Sequence, residues 1–537
     1  MVTTEPLTTF DPPGIKFRMA RTTTQKKFAG LLVALCILSS LGLVHSPNAG
    51  AVASADNSAI EVTSSTGHTC ALKSDGSVAC WGSNLWGQLG DGTLDNRTVP
   101  VPVTSGALTG KTVTQIATGG GHTCALMSGG SVACWGFNIA GQVGDGSTVD
   151  RLRPVVVSGG ALSGKNVVQI AAGGARTCAL IDDGTIACWG YLYGDGTGDN
   201  SPITDRYSPV SISDGALSGN TVTQIAVAES HICALLTGGT IACWGDNYFG
   251  QIGDGTTADV ESPRTVNSGS LLAASVTQVA VTYSHTCALT SNGKVSCWGG
   301  NYWGQLGNGT KTNVSVPTEI TGDLITGETV TQIAAGNAHS CALTADGSLF
   351  CWGSNLDGEL GNRFTTTTNE PILVAGGALT GKTVTQVATG GTITCSVLSD
   401  NSISCWGSND FGQLGDGTTQ DRLRPVAVVW PSRARAITKP STTGVALVGQ
   451  TLTAIKGTWT GFPTPVYTYK WYACSAKITR SIQNVPRTCR LISGATSRTF
   501  KLTVTQKGKY IAVRVTGTSA GTTGTSWLSK TTTAKVS

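Results

Sequence analysis

Histidine and cysteine recur in this chain at a spacing that suits two kinds of chemistry. His339 stands two residues before Cys341, so an alternating segment places both on one face, and Cys351 follows ten residues later. Such a trio could hold a soft metal ion or close a disulfide. The arrangement begins again at Cys70, Cys124, Cys178, Cys233, Cys287, Cys341 and Cys395, at intervals of 54 residues with a single 55. A tetrahedral metal site would need a fourth ligand, and the histidine position is Arg176 in the third repeat and Ile393 in the seventh. No metal and no cofactor is therefore expected. His68, His122, His231, His285 and His339 read as structural, each ring bonding backbone inside its own repeat.

Two further patterns invite a chemical reading. Gly87-Gln-Leu-Gly-Asp-Gly92 and its kin at Gly250 and Gly412 look like a phosphate cradle. No Lys-Ser/Thr pair and no helix pattern follows them, so they read as turns that need positive φ. Carboxylates gathered in a central opening would suit carbohydrate cleavage, but spacing nominates no pair, and no catalytic residue is assigned.

The elements that carry these residues are strands. Ala345-Asp346-Gly347 reads as a three-residue hairpin loop, with glycine in the left-handed position and alternating residues on both sides. Cys341 then faces Cys351, in a non-hydrogen-bonded pair if the pair closing the loop is hydrogen-bonded. A cross-strand disulfide is geometrically plausible there. The pairs expected are Cys70–Cys80, Cys124–Cys134, Cys178–Cys188, Cys233–Cys243, Cys287–Cys297, Cys341–Cys351 and Cys395–Cys405.

A fixed period of this length marks one unit copied around a propeller or along a solenoid. Four short strands per unit, illustrated by Pro317-Thr-Glu-Ile, Thr329-Val-Thr-Gln-Ile-Ala, Ser340-Cys-Ala-Leu-Thr and Ser348-Leu-Phe-Cys-Trp, describe a propeller blade. The fold expected is all-β, a seven-bladed propeller of four-stranded blades. Pro100, Pro154, Pro209, Pro263, Pro317, Pro371 and Pro425 each open a Val-rich strand where a missing N–H is tolerated. No such strand precedes the first hairpin, and one follows the seventh. The ring is thus expected to close by pairing the terminal strand into the first blade.

Ile333-Ala-Ala-Gly-Asn-Ala-His-Ser-Cys-Ala-Leu343 and Trp298-Gly-Gly-Asn-Tyr-Trp-Gly-Gln-Leu-Gly307 resemble the signature of the regulator of chromosome condensation repeat. The resemblance runs over residues 58 to 429. Family members that exchange guanine nucleotide on a small GTPase use an insertion projecting from one blade. Here no interval exceeds the others by more than one residue, so a small GTPase is not the partner expected.

One loop position varies in an informative way. Six residues after the second cysteine stand Trp86, Ala140, Gly194, Phe249, Trp303, Asp357 and Phe411. Ring symmetry puts all seven on one end of the propeller, so Trp86, Phe249, Trp303 and Phe411 form a candidate ligand-binding rim. The alternative is that each aromatic folds over its own loop. The third repeat, Tyr191-Leu-Tyr-Gly-Asp-Gly-Thr-Gly-Asp199, lacks the Gly-Gln-Leu-Gly element, so its rim is built differently.

The flanks point to the compartment. Residues 1–55 combine Lys26 and Lys27, an apolar run from Phe28 to Val44 and an Ala-x-Ala site ending at Ala53 or Ala55, which describes a secretory signal. An uncleaved anchor is the competing reading. Setting Cys36 aside, the 17 cysteines leave an even number, as a disulfide framework requires.

Charge divides the remainder. Residues 54–432 hold 15 Lys+Arg against 29 Asp+Glu, net −14, whereas residues 433–537 hold 16 Lys+Arg and no acid. The propeller is placed at 56–430, a linker at 431–440 and a basic module at 441–537. That module resembles a small immunoglobulin-like sandwich, with Trp471 as its core tryptophan, Tyr510 at the corner position and Ala512 where antibody domains place a cysteine. Cys474–Cys489 is then a loop staple. Similar modules recur at the ends of bacterial surface proteins.

The function expected is a secreted or cell-surface binding protein, not an enzyme, that offers one propeller face to an extracellular protein or glycan. Its basic module would hold an anionic envelope polymer by salt-sensitive attraction. Sequence-specific nucleic acid is not expected, because no reader motif is present. A carbohydrate lyase or hydrolase, and guanine-nucleotide exchange by kinship, are the alternatives.

Overall fold

The computed structural model describes residues 58–191, 205–266, 268–519, 522 and 524–537. The expected secretory signal or anchor at 1–55 lies outside them. Seven four-stranded antiparallel sheets follow one another along the chain, each in simple sequence order. In the first, β1 (Ala59–Ser64), β2 (His68–Lys73), β3 (Val78–Gly82) and β4 (Arg97–Pro102) run from the inside of the ring outward. The second repeats this as β5 (Val113–Thr118), β6 (His122–Met127), β7 (Val132–Gly136) and β8 (Arg151–Val156).

The hairpin forms as its sequence dictates. Thr344 N–H donates to Ser348 O, Gly347 N–H donates back to Thr344 O, and Gly347 adopts φ +83°. Three steps of alternation from that closing pair bring Cys341 opposite Cys351, with Cα atoms 4.1 Å apart. The other six blades join their cysteines in the same register, and Cys474 joins Cys489 in the C-terminal unit.

Closure differs from the expectation. Among the described residues no strand is shared between the chain's first and last blades: Pro425 lies in Arg422–Ala427, which completes the seventh sheet beside Ile403–Gly407. The proline strand is the outer, last strand of each unit, so the hairpin at Cys70 owns β4, and its inner strand is Ala59–Ser64. The ring shuts through side chains instead. Gln386 of the seventh inner strand gives its Nε2–H to Val62 O and takes Val62 N–H on Oε1, both at 2.9 Å.

That bridge is one of a set. Gln115, Gln169, Gln224, Gln278 and Gln332 make the same two-way bond to the inner strand of the following blade. Farther out, the first blade lays Cys70, Cys80, Leu72 and Leu89 against Ile116, Ala125 and Trp135 of the second. Gly90 makes the fit possible: a Cβ there would stand 2.7 Å from Trp135 Nε1. That indole donates to Gln88 O at 2.9 Å, and Thr123 Oγ1 donates to the same carbonyl.

The histidines belong to these seams. His68 Nε2 meets Thr123 Oγ1 at 2.8 Å, and His122, His231, His285 and His339 meet Thr177, Thr286, Ser340 and Thr394 likewise. Each ring therefore bonds a hydroxyl of the next blade, not backbone of its own repeat. Arg176, standing in for histidine, reaches across the same kind of seam to Glu229 O. Short 3-10 turns such as Gly106–Leu108 link the blades, and a Cβ on Gly106 would lie 2.2 Å from Pro154 O in the next outer strand.

The C-terminal unit sets the sheet of Val466–Cys474, Cys489–Leu491, Tyr510–Thr518 and Thr525–Leu528 against that of Ser441–Thr443, Thr451–Ile455 and Thr499–Lys501. Trp471 fills the space between them with Leu452, Leu502, Ile511 and Val513.

Candidate binding rim

Loops from the third to the fourth strand of each blade, with the shorter loops from first to second strand, make up one end of the ring. Each described long loop is held from within. Asn84 takes Leu89 N–H on Oδ1 and donates through Nδ2 to Thr93 O, while Gln88 Oε1 takes Trp86 N–H. Asp91 accepts from Thr93 and Arg97. Burial alone would raise its pKa, but these bonds together bring it below the usual carboxylate range. Such a loop presents its tip residues from a fixed base.

The four aromatics expected at the rim lie on this end, and three of them are partly buried. They do not fold over their own loops alone. Trp86 reaches to 2.9 Å of the Cβ position of Gly121 and packs at a tilt against Phe137, ring centres 5.0 Å apart, both in the second blade. Phe411 lies over Gly67 of the first blade in the same way and is 38 % exposed. Phe249 and Trp303 share the walls of one hollow that runs into the following blades. Gly194, the third-repeat equivalent, falls outside the described residues.

A set of exposed apolar side chains stands one residue earlier. Leu85, Ile139, Tyr248, Tyr302 and Leu356 are 51, 58, 74, 73 and 47 % exposed, and Asp410 takes the sixth described position. Tyr248 packs edge-on against Phe249 and Tyr302 against Trp303, with ring centres 4.9 Å apart in both. Where it is aromatic the +6 residue thus faces the following blade, and the +5 residue is offered to solvent. The sequence signal was a large apolar residue directly after the loop asparagine in a turn otherwise rich in glycine and polar groups.

The central opening holds little chemistry. Among the described residues of the seven inner strands the one carboxylate is Glu61, at the place of the bridging glutamines. Burial raises its pKa to about 8, against the backbone N–H of Ile116, which lowers it. The buried histidines are pushed the other way: burial lowers His122, His231, His285 and His339, and with His122 nearby also His68, to about 3. They stay neutral, and the cysteines beside them are joined to each other.

Comparison with known proteins agrees with this geometry. A family described as the RCC1-like domain matches residues 39–392 and 215–458. The Arabidopsis thaliana ultraviolet-B receptor UVR8 is 32 % identical over 327 residues, 60 % of this chain and 71 % of that protein. The human E3 ubiquitin-protein ligase HERC2 is 32 % identical over 337 residues, 62 % of this chain but 7 % of its own length. Among solved structures, human WBSCR16 aligns with a TM-score of 0.58 at 23 % identity, covering 66 % of this chain and 94 % of that one. Prp20p of Saccharomyces cerevisiae, described with its binding to Gsp1p and histones, aligns at 0.57 and 22 %, covering 70 % and 88 %. Seven sheets of one order, the repeated hairpin and these matches lead to one conclusion: the chain belongs to the RCC1-like domain family.

Proposed function

We propose that this chain is a secreted or surface-held interaction protein, without catalysis of its own, that presents its rim end to an extracellular protein or glycan. The basic C-terminal module retains it on an anionic envelope polymer. The observation that carries the reading is the exposed apolar side chain at one loop position, in five of the six blades where that position is described. A repeated outward apolar residue on a braced loop serves contact, since it contributes nothing to the blade's own core. Eight disulfides suit an oxidising compartment.

The enzymatic alternative would need paired acids in the central opening, where the described inner strands offer Glu61 alone. Gsp1p and histones are named for the yeast protein, whose likeness at this identity carries the fold alone.

A photo-crosslinking residue placed at Tyr302, compared with one at Asp346 on the hairpin end, tests the proposal on intact envelopes. Adducts from position 302 that unlabelled protein competes away, with none from 346, are expected. Equal labelling from both ends, or none from the rim, would overturn it.

A further inference from the structure

We propose that the hollow where the fourth, fifth and sixth blades meet the rim binds one pyranose ring of a neutral or acidic glycan. The proposal deepens the reading of this end as the binding surface. The hollow measures about 450 Å³, within the range of small-ligand clefts. Phe249, Tyr283, Tyr302 and Trp303 contribute aromatic walls from three loops of two blades, and Tyr302 is braced edge-on by Trp303.

A buried amide reaches the same hollow. Gln305 is 3 % exposed and takes Trp303 N–H on its Oε1 at 2.9 Å. In the first blade the equivalent Gln88 gives its Nε2–H to Ser83 Oγ, and in the fourth Gln251 gives it to Asp246. Residue 300 is glycine, so that partner is missing in the fifth blade, and Gln305 lines the hollow. In the second blade Phe137 stands at this position and Gln142 Nε2 is sealed from solvent. The fifth blade has both a vacant donor and room beside it.

The character of the lining selects the guest. Lys311 lies in the wall and no carboxylate does, which rules against a cation held over the aromatic faces. A purely apolar side chain would satisfy the rings but leave the Gln305 amide buried without a partner. A sugar ring meets both demands, laying its C–H face on an aromatic ring and turning its hydroxyls to Gln305, Ser284 and Asn313.

Methyl glycosides of glucose, N-acetylglucosamine and glucuronic acid, and their linear tetramers, are titrated into the full chain by tryptophan fluorescence and saturation-transfer NMR. At least one series is expected to saturate. Trp303→Ala should weaken it about tenfold or more. So should the pair Ser284→Gly with Gly300→Ser, which rebuilds the Gly67 and Ser83 arrangement of the first blade. That pair also removes the crowding a lone Gly300→Ser meets, since its Cβ would lie 3.0 Å from Ser284 Cβ. Its melting temperature should stay near that of the parent.

The proposal is overturned if no series saturates or if both variants bind as the parent does. It is also overturned if a peptide library yields Trp303-dependent binders that no glycoside displaces. Rim crosslinks at position 302 without any glycoside signal would sink the sugar assignment and leave the rim reading in place.

Discussion

Glu61 takes the backbone N–H of Ile116 at the seam between the first and second blades, where every other described seam of the inner ring has a glutamine bridge. A protonated carboxyl has the shape and the donor of that glutamine; an ionised one has no donor and loses part of its hydration. Below the ordinary glutamate value of 4.5 folded and unfolded chains both hold the proton, and the contribution is fully present. Between 4.5 and about 8 the folded chain alone holds it, so stability is lost as pH rises. Glu61 is partly open to the channel, where solvent screens its charge, and about 1–2 kcal/mol is expected. Glu61→Gln should raise the denaturation midpoint at pH 8–9 and leave it little changed at pH 4, as urea unfolding at both values will read.

The five seam histidines act in the opposite sense. Their folded values near 3 mean that the unfolded chain binds protons first as pH falls below 6.5, so acid destabilises through them. Imidazole signals of these five should not titrate between pH 4.5 and 8 by NMR. A midpoint above 5 for any of them would contradict the sealed geometry.

The Trp135 indole and the Gly90 backbone form one lock between blades. Trp135→Phe deletes the donation to Gln88 O and should cost about 1–2 kcal/mol. Gly90→Ala adds a Cβ against Trp135 at a φ of +70° and should cost about 2–3 kcal/mol. Chemical denaturation of the two single variants and the double variant will show whether the costs overlap, as one shared contact requires.

Replacing Cys341 and Cys351 together by alanine should remove about 2–3 kcal/mol of stability. Peptide mapping without reductant should recover eight cross-links, none joining two blades. Free thiols at these positions would remove the argument for an oxidising compartment.

Removing residues 433–537 takes away 16 basic side chains and no acid. Retention of the propeller on envelopes at low salt should fall sharply, and the intact chain should be released by raised salt. Unchanged retention of the truncated form would leave the module without the assigned role.

The blades were legible because Cys, Pro and Trp-Gly each repeat on one lattice, and the hairpin loop carries its own turn chemistry. The first inner strand was harder to find, since Ala59–Ser64 has Glu61 where its counterparts have glutamine. Without it the proline strands were assigned to the wrong end of the unit. The histidine partners were hidden for another reason: Thr123 lies 55 residues from His68, and only packing of one blade on the next makes them neighbours. At the rim, Tyr248 and Phe249 are adjacent aromatics in a turn, where no alternation says which one faces water. Their roles follow from the following blade, against which the second of each pair rests.

Because each hairpin joins cysteines ten residues apart, the right partner is always the nearest in the chain, the next cysteine lying at least 44 residues farther on. Loop closure over ten residues is favoured about nine-fold over closure across that gap. As a nascent chain emerges, one bond can set before its competitor exists. The repeat thus carries its own safeguard against scrambled cross-links, independent of any enzyme that sorts them.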